Sequence, residues 1–404
     1  MQPLLAIIIA TRNRQKYALS AVESILSIND DSIEVVVQDN SDNDSLREML
    51  NPFMKDVRLI YNYTEKPLSF VANFDLSIHL SRAEYVCQIG DDDGINPEII
   101  HATKWAKKNN VDALVGNTKA NYRWEGAEAP DTLFTKLTGS TLTIENFSGK
   151  LEKCNVQEAL EKFSRNGCTN YSQFKLPKLY HGIVKRECLD NIKNMTDSYF
   201  KGLSPDIYAS ITLACVVKNL IYIDYPLTIP GICSVSGTLI EGQIKKHSKE
   251  IQNAPHLKNR GYYEWSREVP PVYCVPTIWA DSAFAALREM KRNDLIKLFN
   301  EYMLYANIIS DDKSLKKSVI TFMKEQRKIT EKSDFIRDAL FLSISYIKGP
   351  IYNFITQRAF KRLLFILRIK DITIKRELID INAAMLYLKE YLDSRKMHIE
   401  KYIN

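Results

Sequence analysis

The sequence predicts an α/β fold with a mostly parallel β-sheet, and three observations lead to this prediction. Short, β-branched apolar runs alternate with segments whose apolar residues recur every three or four positions, as they do in βαβ units. Several of these runs end abruptly in polar residues, which suits the ligand-binding edge of a parallel sheet. After residue 276 the alternation gives way to consecutive segments of helical spacing, which predicts a C-terminal helical region.

The first half of the chain supplies most of the predicted elements. Leu4–Ala10 is an apolar run of the kind that is buried on both faces of a sheet. Leu19, Val22 and Leu26 then fall on one face of a helix. In chain order, the predicted strands are 4–10, 33–37, 58–63, 85–90, 181–184 and 220–229, and the predicted helices are 17–26, 46–50, 70–80, 97–108 and 206–214.

Length and composition indicate a soluble globular protein. The 404 residues suffice for one large domain and a smaller one, and 26% charged with 45% hydrophobic residues is ordinary for this class. Seven cysteines without paired short spacing argue against a disulfide framework or a cysteine-ligated zinc site. No signal-peptide pattern and no apolar run of about 18 residues is evident, so we expect a cytoplasmic protein without a membrane-spanning helix.

Three consecutive aspartates, Asp91–Asp93, follow the apolar run at 85–90. Adjacent carboxylates repel one another and need a compensating charge. A hard divalent cation such as Mn²⁺ or Mg²⁺ supplies that charge, together with phosphate oxygens that complete its shell. An acidic surface turn is the alternative. Thr11–Arg14 and Asp39–Ser41 also follow strands, so we expect the three groups to meet at one edge of the sheet.

Two common phosphate-binding loops are missing from the sequence. Neither a G-x-G-x-x-G fingerprint nor a G-x-x-x-x-G-K-[ST] loop is present. A nucleotide bound at this edge would therefore need a metal ion and side chains, rather than a glycine-rich loop, to meet the charge of its phosphates.

Residues 5–14, 37–41 and 89–93 together resemble the successive signatures of family 2 glycosyltransferases with the GT-A fold. Their sequences here are LAIIIATRNR, VQDNS and IGDDD. The resemblance covers roughly the first 235 residues. It implies a Rossmann-like GT-A catalytic domain at 1–235, flanked by helices, with nucleotide-sugar binding in about 1–115 and an acceptor side in about 116–235.

The resemblance also implies roles for the residues that follow the first two strands. Thr11 and Arg14 lie in the loop that contacts the nucleotide-sugar in that family, and Asp39 corresponds to the carboxylate that binds the base or ribose. Asn73 would line the nucleotide pocket. It follows Ala72, a position where the family often has arginine. The contact made by that arginine in the family therefore has no counterpart here.

The metal motif of the family is D-x-D, and here Gly90 stands where many members carry the first aspartate. We expect Asp93 to bind the metal directly and Asp91 to face the ribose or a metal-bound water. Asp92, on the nucleotide-sugar side, is the alternative ligand. His247 is a further candidate for the metal or the diphosphate, because related enzymes often recruit a histidine from this part of the chain; a solvated surface histidine is the competing explanation.

Asp206 is the candidate general base. Related transferases place an aspartate in a similar segment at a helix start, and an inverting sugar transfer needs a carboxylate to accept the proton of the attacking hydroxyl. Helix capping is the alternative, because an aspartate near a helix N-terminus stabilises the helix by about 0.3–1 kcal/mol.

The C-terminal part is predicted to be a helical domain at 276–404, joined by a segment at 236–275 that connects the domains and covers the active site. Within 348–376, eight Lys and Arg residues are interleaved with apolar and aromatic ones against Asp371 alone. A basic amphipathic helix of this kind is typical of a peripheral membrane element. An oligomerisation helix and simple packing onto the catalytic domain are the alternatives.

These observations and the resemblance predict a metal-dependent inverting glycosyltransferase. It would use a UDP-sugar as donor and transfer the sugar to a hydroxyl of a polysaccharide or lipid-linked glycan. The resemblance implies a role in bacterial surface polysaccharide synthesis, such as O-antigen, capsule or teichoic acid. The alternatives are a nucleotidyltransferase, which would need a glycine-rich loop near the N-terminus, and a non-catalytic membrane or nucleic-acid adaptor. We expect no nucleic-acid partner for the enzyme, and a homo-oligomer is compatible with the sequence.

Overall fold

The computed structural model describes residues 2–127, 139–235, 251–330, 335–355 and 372–403. Strands concentrate in the first 235 residues, and helices follow them. The strands are β1 (Leu5–Thr11), β2 (Ile33–Asp39), β3 (Leu59–Tyr63), β4 (Tyr85–Ile89), β5 (Gly94–Ile95), β6 (Ala113–Gly116), β7 (Ala120–Arg123), β8 (Thr141–Glu145), β9 (Leu151–Cys154), β10 (Gly182–Lys185), β11 (Leu220–Ile223), β12 (Thr228–Ile229), β13 (Gly231–Ile232) and β14 (Ile372–Lys375).

The helices follow the same chain order. They are α1 (Gln15–Leu26), α2 (Ser45–Met49), α3 (Phe70–Leu80), α4 (Ile99–Lys108), α5 (Val156–Arg165), α6 (Arg186–Thr196), α7 (Pro205–Val216), α8 (Val275–Glu289), α9 (Asn293–Ile296), α10 (Glu301–Asp311), α11 (Lys316–Thr330), α12 (Phe335–Tyr346), α13 (Ile381–Arg395) and α14 (Glu400–Ile403). Polar side chains fix several helix starts, because an N-cap oxygen satisfies a first-turn N–H group; Ser69, Asn155, Asn300 and Asp380 do so for α3, α5, α10 and α13.

An eight-stranded sheet organises the fold, in the order β3-β2-β1-β4-β10-β6-β11-β9. The strands β3, β2, β1 and β4 run parallel to one another. β10 is antiparallel to both of its neighbours, and β9 is antiparallel to β11. The predicted α/β fold with a mostly parallel sheet is therefore confirmed.

Helices cover both faces of this sheet, which explains why its central strands are apolar throughout. Alternate residues of β1 illustrate the division: Ile7 and Ile9 belong to the core that includes α1, α4 and α13, whereas Ala6 and Ile8 belong to the core that includes α3, α7, α8 and α10. The sheet thus positions its strand ends between two packed layers.

The C-terminal residues 372–403 differ from the prediction of a separate helical domain at 276–404. β14 pairs with β8 and extends the small sheet β13-β7-β8-β14. α13 packs against α1 and β5, and Ile381 lies against Gly94, next to the aspartate loop. The chain therefore returns to the N-terminal domain, because α13 supplies apolar side chains that cover one face of the sheet.

The helical region itself follows the prediction with altered bounds. Within it, residues 297–300 separate α9 from α10, and the strand predicted at 220–229 is divided into β11 and β12. Within the described ranges, no helix combines the length and apolarity needed to cross a membrane. Residues 356–371 of the predicted amphipathic tail lie outside the described residues.

Candidate active site

The ends of three parallel strands meet at one edge of the sheet, as predicted. β1 lies between β2 and β4, and the register pairs Thr11 with Asp39. The Thr11 Oγ1 hydroxyl donates a hydrogen bond of 2.7 Å to Oδ2 of Asp91. Residues that are up to 80 positions apart in sequence thus form one polar cluster, because parallel strands bring their carboxyl ends to the same side.

On the β2 side, Asp39 is fully buried and shapes the adjoining loop. Its Oδ1 accepts a hydrogen bond from the backbone N–H of Ser41 at 2.8 Å, and its Oδ2 accepts one from the Tyr61 hydroxyl at 2.9 Å. Burial, together with this carboxylate, raises the pKa of Tyr61. The Tyr61 hydroxyl therefore remains a donor to Asp39 at neutral pH.

Asn73 lies beside the end of β1. Its side-chain Nδ2 donates to the backbone carbonyl of Thr11 at 3.1 Å, while its buried Oδ1 accepts no hydrogen bond from any residue that the structure describes. A buried acceptor without a partner is costly. The open Oδ1 is therefore suited to a donor group of a bound ligand.

Arg14 neutralises part of the aspartate cluster. Its Nη1 forms an ion pair with Oδ1 of Asp91 at 2.7 Å, and its Nη2 forms one with Oδ2 of Asp92 at 2.9 Å. The guanidinium also lies over the Tyr17 ring, 5.5 Å from its centroid. A planar, permanently charged group can bridge two carboxylates in this way. Arg14 is thus a fixed positive charge inside the predicted metal site.

The electrostatic consequence is an excess of buried negative charge. Burial raises the pKa of Asp91 and of Asp92, and Arg14 opposes the shift at both positions. The neighbouring carboxylates add to the increase, because like charges disfavour ionisation. One guanidinium therefore compensates three adjacent carboxylates only in part.

Asp93 differs from its neighbours because its carboxylate is occupied by protein groups. Oδ2 accepts hydrogen bonds from the Gly90 N–H at 2.6 Å and the Tyr180 hydroxyl at 2.8 Å, and it lies 3.3 Å from Nε2 of His181. Oδ1 accepts one from the Gly231 N–H at 2.6 Å. Burial works against ionisation, but these partners hold the pKa of Asp93 below its usual range. Through these contacts Asp93 links the end of β4, the residues just before β10, and β13.

The backbone of the aspartate loop is held from two sides. The Trp124 indole donates from Nε1 to the carbonyl oxygen of Asp92 at 2.8 Å. The Cys233 N–H donates to Oδ2 of Asp92 at 3.2 Å. A Cβ atom at Gly231 would lie 1.7 Å from the same carbonyl oxygen, so only glycine allows this approach. Residues far along the chain therefore fix the loop.

A divalent cation was predicted at this loop, and the donor chemistry fits one. Within the described ranges, no group of three or more His, Cys, Asp or Glu side chains could hold a metal ion by itself. Mg²⁺ sites in proteins commonly use one or two carboxylates and complete the shell with substrate phosphates and water. The partly uncompensated charge of Asp91 and Asp92 suits such a site. The ligand roles of Asp91 and Asp93 stay predictions.

The candidate base, Asp206, occupies the first turn of α7, directly after Pro205. Both hydrogen bonds recorded for its carboxylate come from side-chain hydroxyls: Tyr171 donates to Oδ2 at 3.1 Å, and Ser204 donates to Oδ1. The Ser204 side chain does not cap α7. The surroundings of Asp206 are therefore those of an oriented carboxylate rather than of a simple helix cap.

Two basic side chains that the sequence analysis missed face Asp206. Burial lowers the pKa of Lys178, and Asp206 partly offsets this decrease. The ammonium group also lies 5.8 Å from the centroid of the Tyr171 ring. Burial likewise lowers the pKa of His256, again with an opposing effect of Asp206. A carboxylate and two basic groups thus share one half-buried region.

The segment 171–181 connects the two clusters. Tyr171 and Lys178 face Asp206, whereas Tyr180 and His181 contact Asp93. Lys178 and Tyr180 are only two residues apart, so the two clusters lie on neighbouring parts of one surface. No sequence motif marks these residues, since the segment has neither strand alternation nor helical spacing. His247 lies outside the described residues, so its predicted role stays a prediction.

The comparisons with known proteins agree with the family resemblance. Residues 6–160 match the family model described as glycosyl transferase family 2, which confirms the resemblance predicted from the strand-end segments. A search of curated proteins finds no match. Among solved structures, S. aureus TarS 1-349 in complex with UDP is 16% identical, with 62% of this chain and 66% of that chain covered and a TM-score of 0.39. S. aureus TarS 1-349 in complex with UDP-GlcNAc is 14% identical, with 80% and 92% covered and a TM-score of 0.45.

Proposed function

We propose that this protein is a metal-dependent inverting glycosyltransferase that uses a nucleotide-sugar, with a UDP-sugar as the expected donor. The observation that carries the proposal is that two acidic sites, the cluster Asp91–Asp93 and the single Asp206, both contact the segment 171–181. The cluster at Asp91–Asp93 follows a parallel strand, and Asp206 stands apart from it beside Lys178. The match of residues 6–160 to family 2 supports the same assignment.

On the donor side, three side chains are placed to meet the nucleotide. The open Oδ1 of Asn73 can accept a hydrogen bond from a base N–H or a ribose hydroxyl. Thr11 and Asp39 border the same strand ends. Because the loop lacks a glycine-rich cradle, Arg14 and the aspartate cluster have to organise the diphosphate region.

For the metal, we propose Asp92 as the direct ligand. The oxygens of Asp93 are already engaged by Gly90, Tyr180, His181 and Gly231, so binding a cation there would break several hydrogen bonds. Oδ2 of Asp92 pairs with the Arg14 guanidinium and accepts one backbone N–H, and a cation bound there would share with Arg14 the compensation of this charge. When bound, Mn²⁺ or Mg²⁺ would supply positive charge for the departing diphosphate.

On the acceptor side, Asp206 accepts the proton of the attacking hydroxyl. The new bond forms between the acceptor oxygen and the anomeric carbon, while the bond from that carbon to the diphosphate oxygen breaks and its electron pair leaves with the nucleotide. Tyr171 and Ser204 orient the carboxylate through their hydroxyl groups. Lys178 places positive charge beside the reacting groups, where it favours the developing negative charge.

We further propose that the acceptor is a polysaccharide or lipid-linked glycan of the bacterial surface, and that transfer takes place at the cytoplasmic face of the membrane. This part of the proposal rests on the family resemblance and on the basic, apolar composition of residues 348–376. It requires a folded enzyme that can approach a lipid-linked substrate from the aqueous side.

Calorimetric titration with UDP and GDP, in the presence and absence of Mn²⁺, tests the donor site. We expect one nucleotide to bind in a Mn²⁺-dependent manner, with binding lost in Asp92→Asn and retained in Asp206→Asn. Asp206→Asn should still bind the nucleotide but should no longer release it from the matching sugar donor, because that variant lacks the base. Absence of binding by UDP, GDP, dTDP and CMP to folded wild-type protein would refute the proposal.

A further inference from the structure

The helix at 335–355 carries an apolar stripe that faces solvent. α12 continues through a π-helical turn at Ile347–Ile351 and remains helical to residue 355. Its large apolar side chains are exposed, with Leu340 at 58%, Ile347 at 59% and Phe354 at 58% of their full surface. These positions recur at intervals of seven residues, which places them on one face of a helix. The remaining members of the stripe are Phe341, Ile351 and Ile355.

The opposite face of the same helix is turned toward the protein, where Leu342 and Tyr346 pack against the core and several polar or small residues are buried beside them. Asp338 is buried, accepts a hydrogen bond from the Tyr302 hydroxyl and pairs with Arg327 of α11. Ser345 and Gly349 are buried about two and three helical turns further along. A Cβ at Gly349 would lie 2.5 Å from the sulfur of Met303, so the helix approaches α10 closely at this point.

An ordinary surface helix has charged and polar residues on its outer face, whereas the outer face of this helix is apolar. The buried partners of Asp338 fix the rotation of the helix, so the stripe cannot turn inward without breaking them. Contiguous exposed apolar patches are uncommon in soluble monomers and mark interaction sites. The stripe therefore calls for an apolar partner outside the described residues.

The positive charge of the sequence around the stripe favours an anionic partner. Between residues 339 and 370 the chain has six Lys or Arg residues and no Asp or Glu. Lys348 lies next to Ile347 within the stripe and is exposed. A symmetric contact between two copies would place the same patch against itself and bring the Lys348 side chains of the two copies close together. A bilayer with anionic headgroups instead offers an apolar layer with negative charge above it.

We propose that the stripe on residues 340–355 docks on the surface of an anionic lipid bilayer, with Ile347, Ile351 and Phe354 inserted at the level of the headgroups. The helix lies along the membrane rather than across it. This inference deepens the membrane part of the proposed function and rests on it, but it does not depend on the proposed donor or on the metal. It names the residues that would hold the enzyme at a lipid-linked acceptor.

Vesicle co-sedimentation with the full 404-residue chain tests the proposal. The probes are vesicles of phosphatidylcholine with one quarter phosphatidylglycerol, and vesicles of phosphatidylcholine alone. We expect binding to the anionic vesicles to be at least tenfold tighter than to the neutral ones, and to weaken as salt rises. Ile347→Glu/Phe354→Glu should reduce binding to the anionic vesicles by at least tenfold.

The matched control is Val57→Glu/Met195→Glu, which adds the same charge at two other exposed apolar positions. It should bind vesicles within about twofold of wild type, since screened long-range charge contributes little. Nucleotide binding and circular dichroism should be equal in all three proteins, which separates a failure to dock from a failure to fold or from a wrong donor assignment.

Two results would overturn the proposal. The first is equal sedimentation of the wild type and the stripe variant with anionic vesicles, including the case in which neither binds. The second is a wild-type dimer in analytical ultracentrifugation that the stripe variant converts to a monomer, without vesicle binding by either protein. That result would show that a second copy of the chain covers the stripe.

Discussion

Replacement of Arg14 by glutamine tests the electrostatics of the aspartate loop directly. The substitution keeps a polar side chain of similar length but removes the only guanidinium that pairs with Asp91 and Asp92 among the described contacts. Both carboxylates are nearly inaccessible, with 3% and 7% of their side chains exposed, and Arg14 is 21% exposed. The variant therefore removes the guanidinium from two buried carboxylates, each of which must then stay ionised at a cost or take up a proton.

The structure sets the expected size of the effect. Each pair, at about 4 Å between charge centres and an effective dielectric constant of about 20, contributes about 4 kcal/mol of Coulomb attraction. The desolvation of the guanidinium offsets part of this gain, and removing one partner of a buried pair typically costs about 3–5 kcal/mol. Because Arg14 is partly exposed, we expect the free energy of unfolding to fall by about 3 kcal/mol, the lower end of this range. For a chain of 404 residues, at about 2.1 cal/mol/K of unfolding entropy per residue, that corresponds to a fall in the unfolding midpoint of about 3–4 °C.

Thermal unfolding, followed by circular dichroism at pH 7, measures this difference. The matched control is Arg12→Gln in the same loop, because Arg12 pairs with Asp42 at 3.1 Å where 30% and 67% of the two side chains are exposed. An exposed pair contributes at most about 1 kcal/mol. Mn²⁺ should raise the midpoint of Arg14→Gln more than that of wild type, since the ion replaces the missing charge.

Equal midpoints for the Arg14 and Arg12 variants would refute this reasoning, because they would show that the aspartate cluster needs no counter-ion. A large loss in Arg14→Gln that persists when Asp91 and Asp92 are both replaced by asparagine would refute it as well. In that case the stabilisation by Arg14 would come from packing, for example on the Tyr17 ring, and not from charge.

Three further variants test other contacts of the site and the fold. Gly231→Ala should lower stability by about 1–3 kcal/mol in urea titrations and weaken nucleotide binding, since its Cβ would collide with the Asp92 carbonyl. Lys178→Met should slow nucleotide release from the donor by about tenfold or more without changing nucleotide affinity, because its charge lies beside Asp206. Burial opposes ionisation of Asp224, but hydrogen bonds from Asn117, Ser148 and Lys119 lower its pKa to about 2. Asp224→Asn should therefore lose about 1 kcal/mol above pH 4, allowing for partial solvent screening, and this difference should vanish as the pH falls toward 2.

The sequence was sufficient to predict the parallel part of the sheet, because a strand buried on both faces has a clear apolar pattern and ends at a polar residue. β1, β2 and β4 were predicted to within two residues at each end, and the convergence of Thr11, Asp39 and Asp91 followed from their parallel direction. The short strands of the second sheet were not predicted. β7 and β8 lie in a stretch without a regular apolar pattern, and their position is fixed by distant partners such as the Asp92 carbonyl, to which the Trp124 indole next to β7 donates.

The C-terminal return of the chain shows a different limit of sequence reasoning. Helical periodicity predicts α13 but does not say which surface it covers, because any apolar face of suitable size could receive it. Here the receiving surface includes Gly94, which follows the aspartates and leaves room for Ile381. The last 32 described residues therefore pack into the same core as β1 and β2, although nothing in their composition distinguishes them from a helical bundle.

The roles of the three aspartates depend on partners that the sequence does not place beside them. Asp91, Asp92 and Asp93 have the same chemistry, yet Arg14 pairs with the first two, and Tyr180, His181 and Gly231 hold the third. A carboxylate with saturated oxygens orients neighbouring strands, whereas one that shares an oxygen with a long side chain can exchange that partner for a ligand. The proposed preference for Asp92 over Asp93 as the metal ligand therefore rests on Tyr180, His181 and Gly231, more than 80 residues away from the motif.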